Sequence, residues 1–289
     1  MNNWFQLFMK IRIHPLFWLI AGISILTARF QELLILFSII FIHEMGHGIM
    51  AHFFSWRIKK ILLLPFGGVA EMDEHGNRPF KEELLVVLAG PLQHVWIACL
   101  AVLLYHGHLI EVDQYEMMMG WNMMILLFNL LPIWPLDGGK LINLLFSRKY
   151  PFLNAFRMTI VSSIVFLIVF HCISLILTPF NINIWAIVLY LYVALWKEWK
   201  QLYYVFMRFL LERYYGKKRI LKGLTPLKVD GNTYLYEVLE KFKRDCKHPL
   251  IVVEKGEKIG ELDENELLFA YFAEKQTNAK VKDILYSYE

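Results

Sequence analysis

The chain has 289 residues, of which 57% are hydrophobic and only 19% charged. Soluble domains sit nearer half apolar and a quarter charged, so this balance points away from an ordinary globular protein and toward the membrane. The net charge of +4 is too small to mark a nucleic-acid binder, and no segment carries the basic run that such a partner requires. Cys99, Cys172 and Cys246 lie far apart and form no CxxC or paired framework, which argues against a disulfide scaffold or a cysteine metal site.

Lys10 and Arg12 precede the first apolar run. A cleaved leader would need a small-residue site after that run, but Ala28 is followed at once by Arg29 and more apolar sequence, so the run is expected to stay as a membrane helix. About 20 apolar residues cross a hydrocarbon core of roughly 30 Å. Six stretches qualify, at approximately 11–28, 32–54, 83–105, 116–136, 157–178 and 182–200. The connecting segments alternate in charge. Lys10 and Arg12, then Arg57, Lys59, Lys60, Arg78 and Lys81, then Lys140, Arg148, Lys149 and Arg157 fall on one side, against Arg29 alone on the other. By the positive-inside rule both termini are cytosolic.

The segment from Lys59 to Asp73 is apolar but too short to span, and Pro65-Phe66-Gly67-Gly68 at its centre would break a helix. A strand pair or re-entrant hairpin fits; the alternative is a greasy surface loop. Such backbone survives at membrane depth only when buried in protein or lining a wet cavity. Residues 197–220 carry Trp199, Tyr203, Tyr204, Arg208, Arg213, Lys217, Lys218 and Arg219, the composition of a helical linker lying on the membrane surface. The remainder alternates a helix over Tyr234–Arg244, a strand over Leu250–Glu254, a turn at Lys255-Gly256, a strand near Lys258–Leu262 and a helix from Glu264 opened by Asp263 and Glu266. The expected architecture is an α-helical polytopic membrane protein with six transmembrane helices and a re-entrant hairpin over 1–200. A linker over 201–222 and a small α+β domain over 223–289 follow.

The second apolar stretch reads FSIIFIHEMGHGIMAHFF. His43 and His47 stand four apart, one turn along a helix face, so both imidazoles can reach one metal ion, and Glu44 beside them can act as a base. A carboxylate at that depth costs at least about 2.5 kcal/mol on insertion scales, a cost seldom kept without use. A hydrolytic zinc usually takes three protein ligands and leaves a position open. The third is expected from NLLPIWPLDGGK, where Pro132 and Pro135 end a helix, Asp137 follows at the membrane edge, and Gly138 and Gly139 permit a tight turn. In the inferred topology both motifs lie in the cytosolic half of the membrane. Asn129 either donates to a developing oxyanion or merely ties helices together. His94 and His171 read as satisfied polar residues of the bundle. A protease must hold its target extended, and the segment Ile61–Val69 is expected to present an edge strand for strand addition. Phe66, Gly67 and Gly68, with Pro135, are the expected substrate contacts. A transporter would spread charged residues along a path, whereas here they concentrate at two motifs.

These residues resemble the site-2 protease family of intramembrane metalloproteases over roughly residues 10–200. The resemblance is carried by HEMGH, by NLLPIWPLDGG, and by LPFGGVA (Leu64–Ala70) and AGPL (Ala89–Leu92). It implies one zinc per chain held by His43, His47 and Asp137, with Glu44 as general base and Asn129 positioning the scissile carbonyl. The last seventy or so residues resemble one cystathionine-β-synthase (CBS) module, which marks the bacterial subgroup with a cytosolic regulatory domain. FFSWRIKK, DEHGNRPFKEE, RFLLERYYGK and FKRDCKHP are similar to its sporulation branch. That branch implies a substrate, the membrane-associated precursor of the late mother-cell factor sigma-K, two inhibitory membrane partners, and the membrane around the forespore. It also implies an ATP response at the CBS module. However, Asp263 and Glu266 stand where nucleotide-binding modules carry Ser or Thr and then an acid, and a carboxylate there repels phosphate. A single module is half of the usual pair, which implies a homo-oligomer.

Overall fold

The computed structural model describes residues 10–64, 67–72, 77–178, 180–215 and 223–285. Two compact units are present, one formed by Met1–Glu74 with Lys81–Leu141, the other by His75–Phe80 with Ile142–Glu289.

In the first unit, β1 (Ile11–Ile13) pairs in parallel with β2 (Ile58–Leu64), which pairs antiparallel with β3 (Gly67–Met72). The β2–β3 pair is the hairpin expected between Lys59 and Asp73. β1 corrects the sequence reading, which ran the first helix from residue 11. That pairing joins Ile11 to Ile61 and is invisible to any local pattern. Helix α1 (Pro15–Leu26) begins instead at Pro15, whose fixed φ suits a first helical position. Its 12 residues rise about 18 Å, short of a full crossing.

Among the described residues this unit also holds α2 (Phe30–Phe53), α3 (Phe80–His106) and α4 (Val112–Asn129). Ile39 and Ile40 of α2, Ile97 of α3 and Ile125 of α4 form a common buried cluster. Helix α5 (Asp137–Ser147) starts in the first unit and runs into the second. A Cβ at Gly46 would overlap the Ala89 carbonyl, so α2 and α3 approach at small residues.

The second unit holds α6 (Phe152–Leu177) and α7 (Ile182–Tyr215). α7 runs unbroken for 34 residues because neither Gly nor Pro interrupts it, so it merges the sixth expected span with the start of the linker. Among the described residues α2, α3 and α6 are long and apolar enough to cross a membrane; α1 is too short, and α4 and α7 fall outside that class by composition. The cationic head of Lys200 lies over the Trp196 ring at 3.9 Å and Arg208 over Tyr204 at 5.6 Å, an aromatic-basic surface on α7. Lys217, Lys218 and Arg219 lie outside the described residues.

The rest of this unit contains strands and short helices. β5 (Leu227–Asp230) pairs in parallel with β7 (Leu250–Glu254), and β7 pairs antiparallel with β8 (Glu257–Leu262). β4 (Gly223–Leu224) pairs with β6 (Cys246–Lys247). Among the described residues it also holds α8 (Leu235–Leu239), α9 (Glu264–Phe272) and α10 (Val281–Leu285). The turn at Lys255 and Gly256 has positive φ at both residues, and Asp263 and Glu266 form the capping box of α9. The helix expected over Tyr234–Arg244 forms only as α8. Beyond it the Lys243 amide donates to His248 Nε2 at 2.8 Å, and Asp245 takes a positive φ.

Arg213 departs from its expected place on the membrane surface. Its guanidinium is buried and pairs with both oxygens of Glu264, at 2.7 and 2.9 Å. It also donates to the carbonyls of Lys243 and Cys246 and lies over the Phe209 and Phe242 rings. The end of α7 is thereby clamped onto the strand-containing part by charge-assisted bonds in an apolar setting. His248 completes the clamp: its amide donates to Glu264, Nδ1–H donates to the Thr225 carbonyl, and Nε2 accepts from Lys243.

Burial, together with the nearby Arg213 charge, pushes the His248 pKa below its usual value. The unfolded chain takes up a proton near about pH 6.5 and the folded one does not, so stability is present above that pH and falls on acidification. Hydrogen exchange at the Leu250–Glu254 amides, corrected for its intrinsic pH dependence, is therefore expected to accelerate from about pH 7 to about pH 5. His248→Asn should flatten that response; an unaltered response in the variant contradicts the assignment.

Candidate metal centre

His43 and His47 lie one turn apart on α2 and are 2% and 4% exposed, buried despite their polarity. Their Nε2 atoms are 3.2 Å apart. Asp137, the first residue of α5 and equally buried, brings Oδ2 to 3.1 Å from His43 Nε2 and 3.0 Å from His47 Nε2. The other oxygen, Oδ1, accepts from Lys140 Nζ at 2.9 Å. Lys140 thereby fixes the carboxylate so that one oxygen faces the histidines.

The remaining ring nitrogens define the protonation pattern. His47 Nδ1 lies 2.8 Å from the Val86 carbonyl, which can only accept, so Nδ1 carries the hydrogen. His43 Nδ1 lies 3.0 Å from His94 Nε2, and His94 Nδ1 lies 2.7 Å from Asn122 Oδ1. With neutral rings, both Nε2 atoms and the Asp137 oxygen point lone pairs at one another with no proton between them. Zinc bonds of roughly 2.0–2.1 Å in a tetrahedron set ligand atoms roughly 3.3 Å apart. The observed separations of 3.0–3.2 Å fit that spacing, and the nitrogen–oxygen donor set fits zinc.

Two glycines make room. A Cβ at Gly90 of α3 would overlap the His47 imidazole, and a Cβ at Gly68 of β3 would overlap the Glu44 side chain. The AGPL and GGVA segments therefore mark close backbone approaches to the metal-facing residues. Pro91 follows Gly90 inside α3 and removes one helical donor there. Gly138 and Gly139 lie in the first turn of α5 against the backbone of residues 130–134, where a side chain would not fit.

Glu44 is buried beside both histidines and meets β3 at Gly68. Asn129 ends α4, half-buried, with its amide donating to the Ile125 carbonyl of its own helix at 3.1 Å. Pro135 is half-buried in the turn leading to Asp137, and Gly67 opens β3. Phe66 lies outside the described residues. His94 is indeed a satisfied polar residue, but one of its partners is His43 itself. Asn122 has no role in the sequence reading, and Lys140 enters it only through the charge count. A second histidine and an asparagine within apolar helices, each costly at that depth, were the available signal.

A buried His-His-carboxylate set beside a glutamate on an apolar helix defines a membrane metallohydrolase. The model of Peptidase family M50 matches residues 31–110 and 108–172. Stage IV sporulation protein FB of Bacillus subtilis (strain 168) is 48% identical over 288 residues, covering both chains fully. A zinc metalloprotease of Methanocaldococcus jannaschii is 34% identical over 142 residues, 47% of this chain and 41% of that one. The solved Site-2 Protease from Methanocaldococcus jannaschii matches with a TM-score of 0.52 and 29% identity, over 65% of this chain and 89% of that one. This chain belongs to Peptidase family M50, the site-2 proteases, and is a zinc metalloprotease.

Gly90→Val is expected to displace the His47 ring and remove zinc from the purified protein. Gly120→Ala on α4, where a Cβ meets nothing within 4 Å, is expected to keep it. Equal zinc content in both variants by metal analysis contradicts the close packing described.

Proposed function

We propose that this protease removes the pro-segment of the membrane-associated sigma-K precursor during sporulation, using a zinc held by His43, His47 and Asp137. The observation that carries the reading is the convergence of those three buried groups beside Glu44, where α2 meets β3. The full-length similarity to a stage IV sporulation protein supports the biological setting. Zinc, one per chain when bound, supplies a Lewis acid that polarises the scissile carbonyl and makes water a stronger acid. Glu44 takes the proton of the attacking water and returns it to the departing amide nitrogen. Lys140 keeps Asp137 turned toward the histidines. Asn129 exchanges its bond to Ile125 for one to the oxygen that gains charge.

The substrate is held as an added strand. Among the described residues β3 is one edge of the sheet ordered β1-β2-β3, and Gly68 of that strand lies against Glu44. A backbone paired to β3 passes the base without a side chain in between. Phe66, Gly67, Gly68 and Pro135 make the remaining contacts.

The six apolar segments of the 1–200 domain lie in the membrane, α1 as a short insertion rather than a full-length span, and the basic residues of alternate segments support cytosolic termini. The 201–222 linker joins them to the 223–289 module, which is of CBS type and pairs with that of a second chain. Inhibitory membrane proteins hold the enzyme silent in the membrane around the forespore. ATP is disfavoured at the start of α9. There Asp263 accepts from the Glu264 amide and Glu266 from the Asp263 amide, so the helix start is already capped by carboxylates.

Glu44→Gln keeps the size and shape of the side chain but cannot accept a proton. Cleavage of the sigma-K precursor by this variant is expected to fall by about 10²–10⁴-fold with zinc content unchanged. Cleavage at the parent rate contradicts the mechanism, and loss of zinc contradicts the separation of base from ligands.

A further inference from the structure

The hydrogen bonds behind the two histidine ligands differ in kind. His47 Nδ1–H rests on a main-chain carbonyl, that of Val86. His43 leans on a side-chain relay that crosses three helices: His43 on α2, His94 on α3 and Asn122 on α4. His94 and Asn122 are 1% and 4% exposed, so water does not substitute for any link. Val86, Gly90 and His94 recur every four residues and line one face of α3. They meet His47, His47 and His43 in turn, as expected where two helices run side by side in opposite directions.

The direction of the relay is fixed from its far end. Asn122 Nδ2 donates to the His94 main-chain carbonyl at 2.9 Å, so its Oδ1 faces the His94 ring as an acceptor. His94 Nδ1–H must then be the donor to Asn122, which leaves Nε2 of a neutral His94 as an acceptor. His43 in turn donates from Nδ1–H and presents a bare Nε2 to the metal position. Every donor finds one acceptor, and the only lone pair left over on the His43 ring is the one a metal needs. An isolated histidine at this place would be free to rotate about its last torsion or to take the opposite tautomer.

We propose that His94, held by Asn122, is the positioning residue that fixes the tautomer and ring orientation of the ligand His43. This rests on the assignment of His43, His47 and Asp137 as zinc ligands. His94 touches neither substrate nor metal; it acts through His43. Groups of this kind typically contribute 10- to 100-fold to metal affinity.

The test uses the full-length protein in detergent. Zinc affinity is measured by competition with a chromophoric chelator, and the visible absorption of the cobalt-substituted protein reports ligand geometry. His94→Phe keeps the ring volume but offers no acceptor, and is expected to weaken zinc binding on the order of 10- to 100-fold and to alter the cobalt spectrum. Any residual cleavage should show a lowered kcat with little change in KM. His94→Gln, whose amide oxygen can accept from His43, is expected to recover most of the affinity. His171→Phe, which removes another histidine from an apolar helix, is expected to match the parent. Parent-like affinity and cobalt spectrum in His94→Phe overturn the proposal while leaving the ligand assignment intact. A parent that binds no zinc overturns both. Should His94→Phe not yield folded protein, Asn122→Leu makes the same comparison, and parent-like affinity and spectrum there also overturn it.

Discussion

Three lone pairs held within 3.0–3.2 Å of one another inside an apolar helix bundle are the constraint on which the first unit depends. Bringing His43, His47 and Asp137 out of water is costly, and neutral rings offer no proton to bridge them. A bound cation would make such a set favourable, which is what a metal at this position would supply. Second contacts hold each group ready: Val86 and His94 for the two rings, Lys140 for the carboxylate. The cost of binding is thereby met largely on folding rather than when the metal arrives.

That constraint explains features that would otherwise look unrelated. Gly90 is small because the His47 ring occupies the space of its side chain, and Gly68 because Glu44 does. Gly46 lets α2 lie against the Ala89 carbonyl, which brings Val86 and His94 within reach of His47 and His43. Helix α4 contributes Asn122 from the same three-helix packing that buries Ile39, Ile97 and Ile125. In the second unit a different buried charge, Arg213 against Glu264, ties α7 to the strands and short helices that follow. Removing one partner of such a pair is far more damaging than replacing both, because it strands a charge in the interior.

That His43, Glu44, His47 and Asp137 come together was legible because their signal is local or chemically loud. His43, Glu44 and His47 announce themselves by spacing within an apolar run, and Asp137 by following a helix-ending Pro pair. The β2–β3 hairpin was legible from the helix-breaking Pro65-Phe66-Gly67-Gly68, and the start of α9 from Asp263 and Glu266. What escaped depends on partners distant in sequence. β1 exists only because Ile11–Ile13 meets Ile61–Leu63. The role of His94 needs both His43 and Asn122, 51 and 28 residues away. Arg213 reads as a surface cation until Glu264 is brought to it. The helix expected beyond Leu239 yields to the bonds among Lys243, His248 and Thr225. Apolar periodicity found the helices but not their number of crossings, since α4 and α7 mix polar residues into otherwise apolar stretches.

The central claim is that one zinc sits among His43, His47 and Asp137, and X-ray absorption at the zinc edge of the purified protein addresses it most directly. The account predicts one zinc per chain, nitrogen and oxygen neighbours at roughly 2.0–2.1 Å, multiple-scattering features of two imidazoles, and loss of one of these in His47→Ala. A sulfur shell near roughly 2.3 Å, or an imidazole count that does not change in His47→Ala, contradicts it.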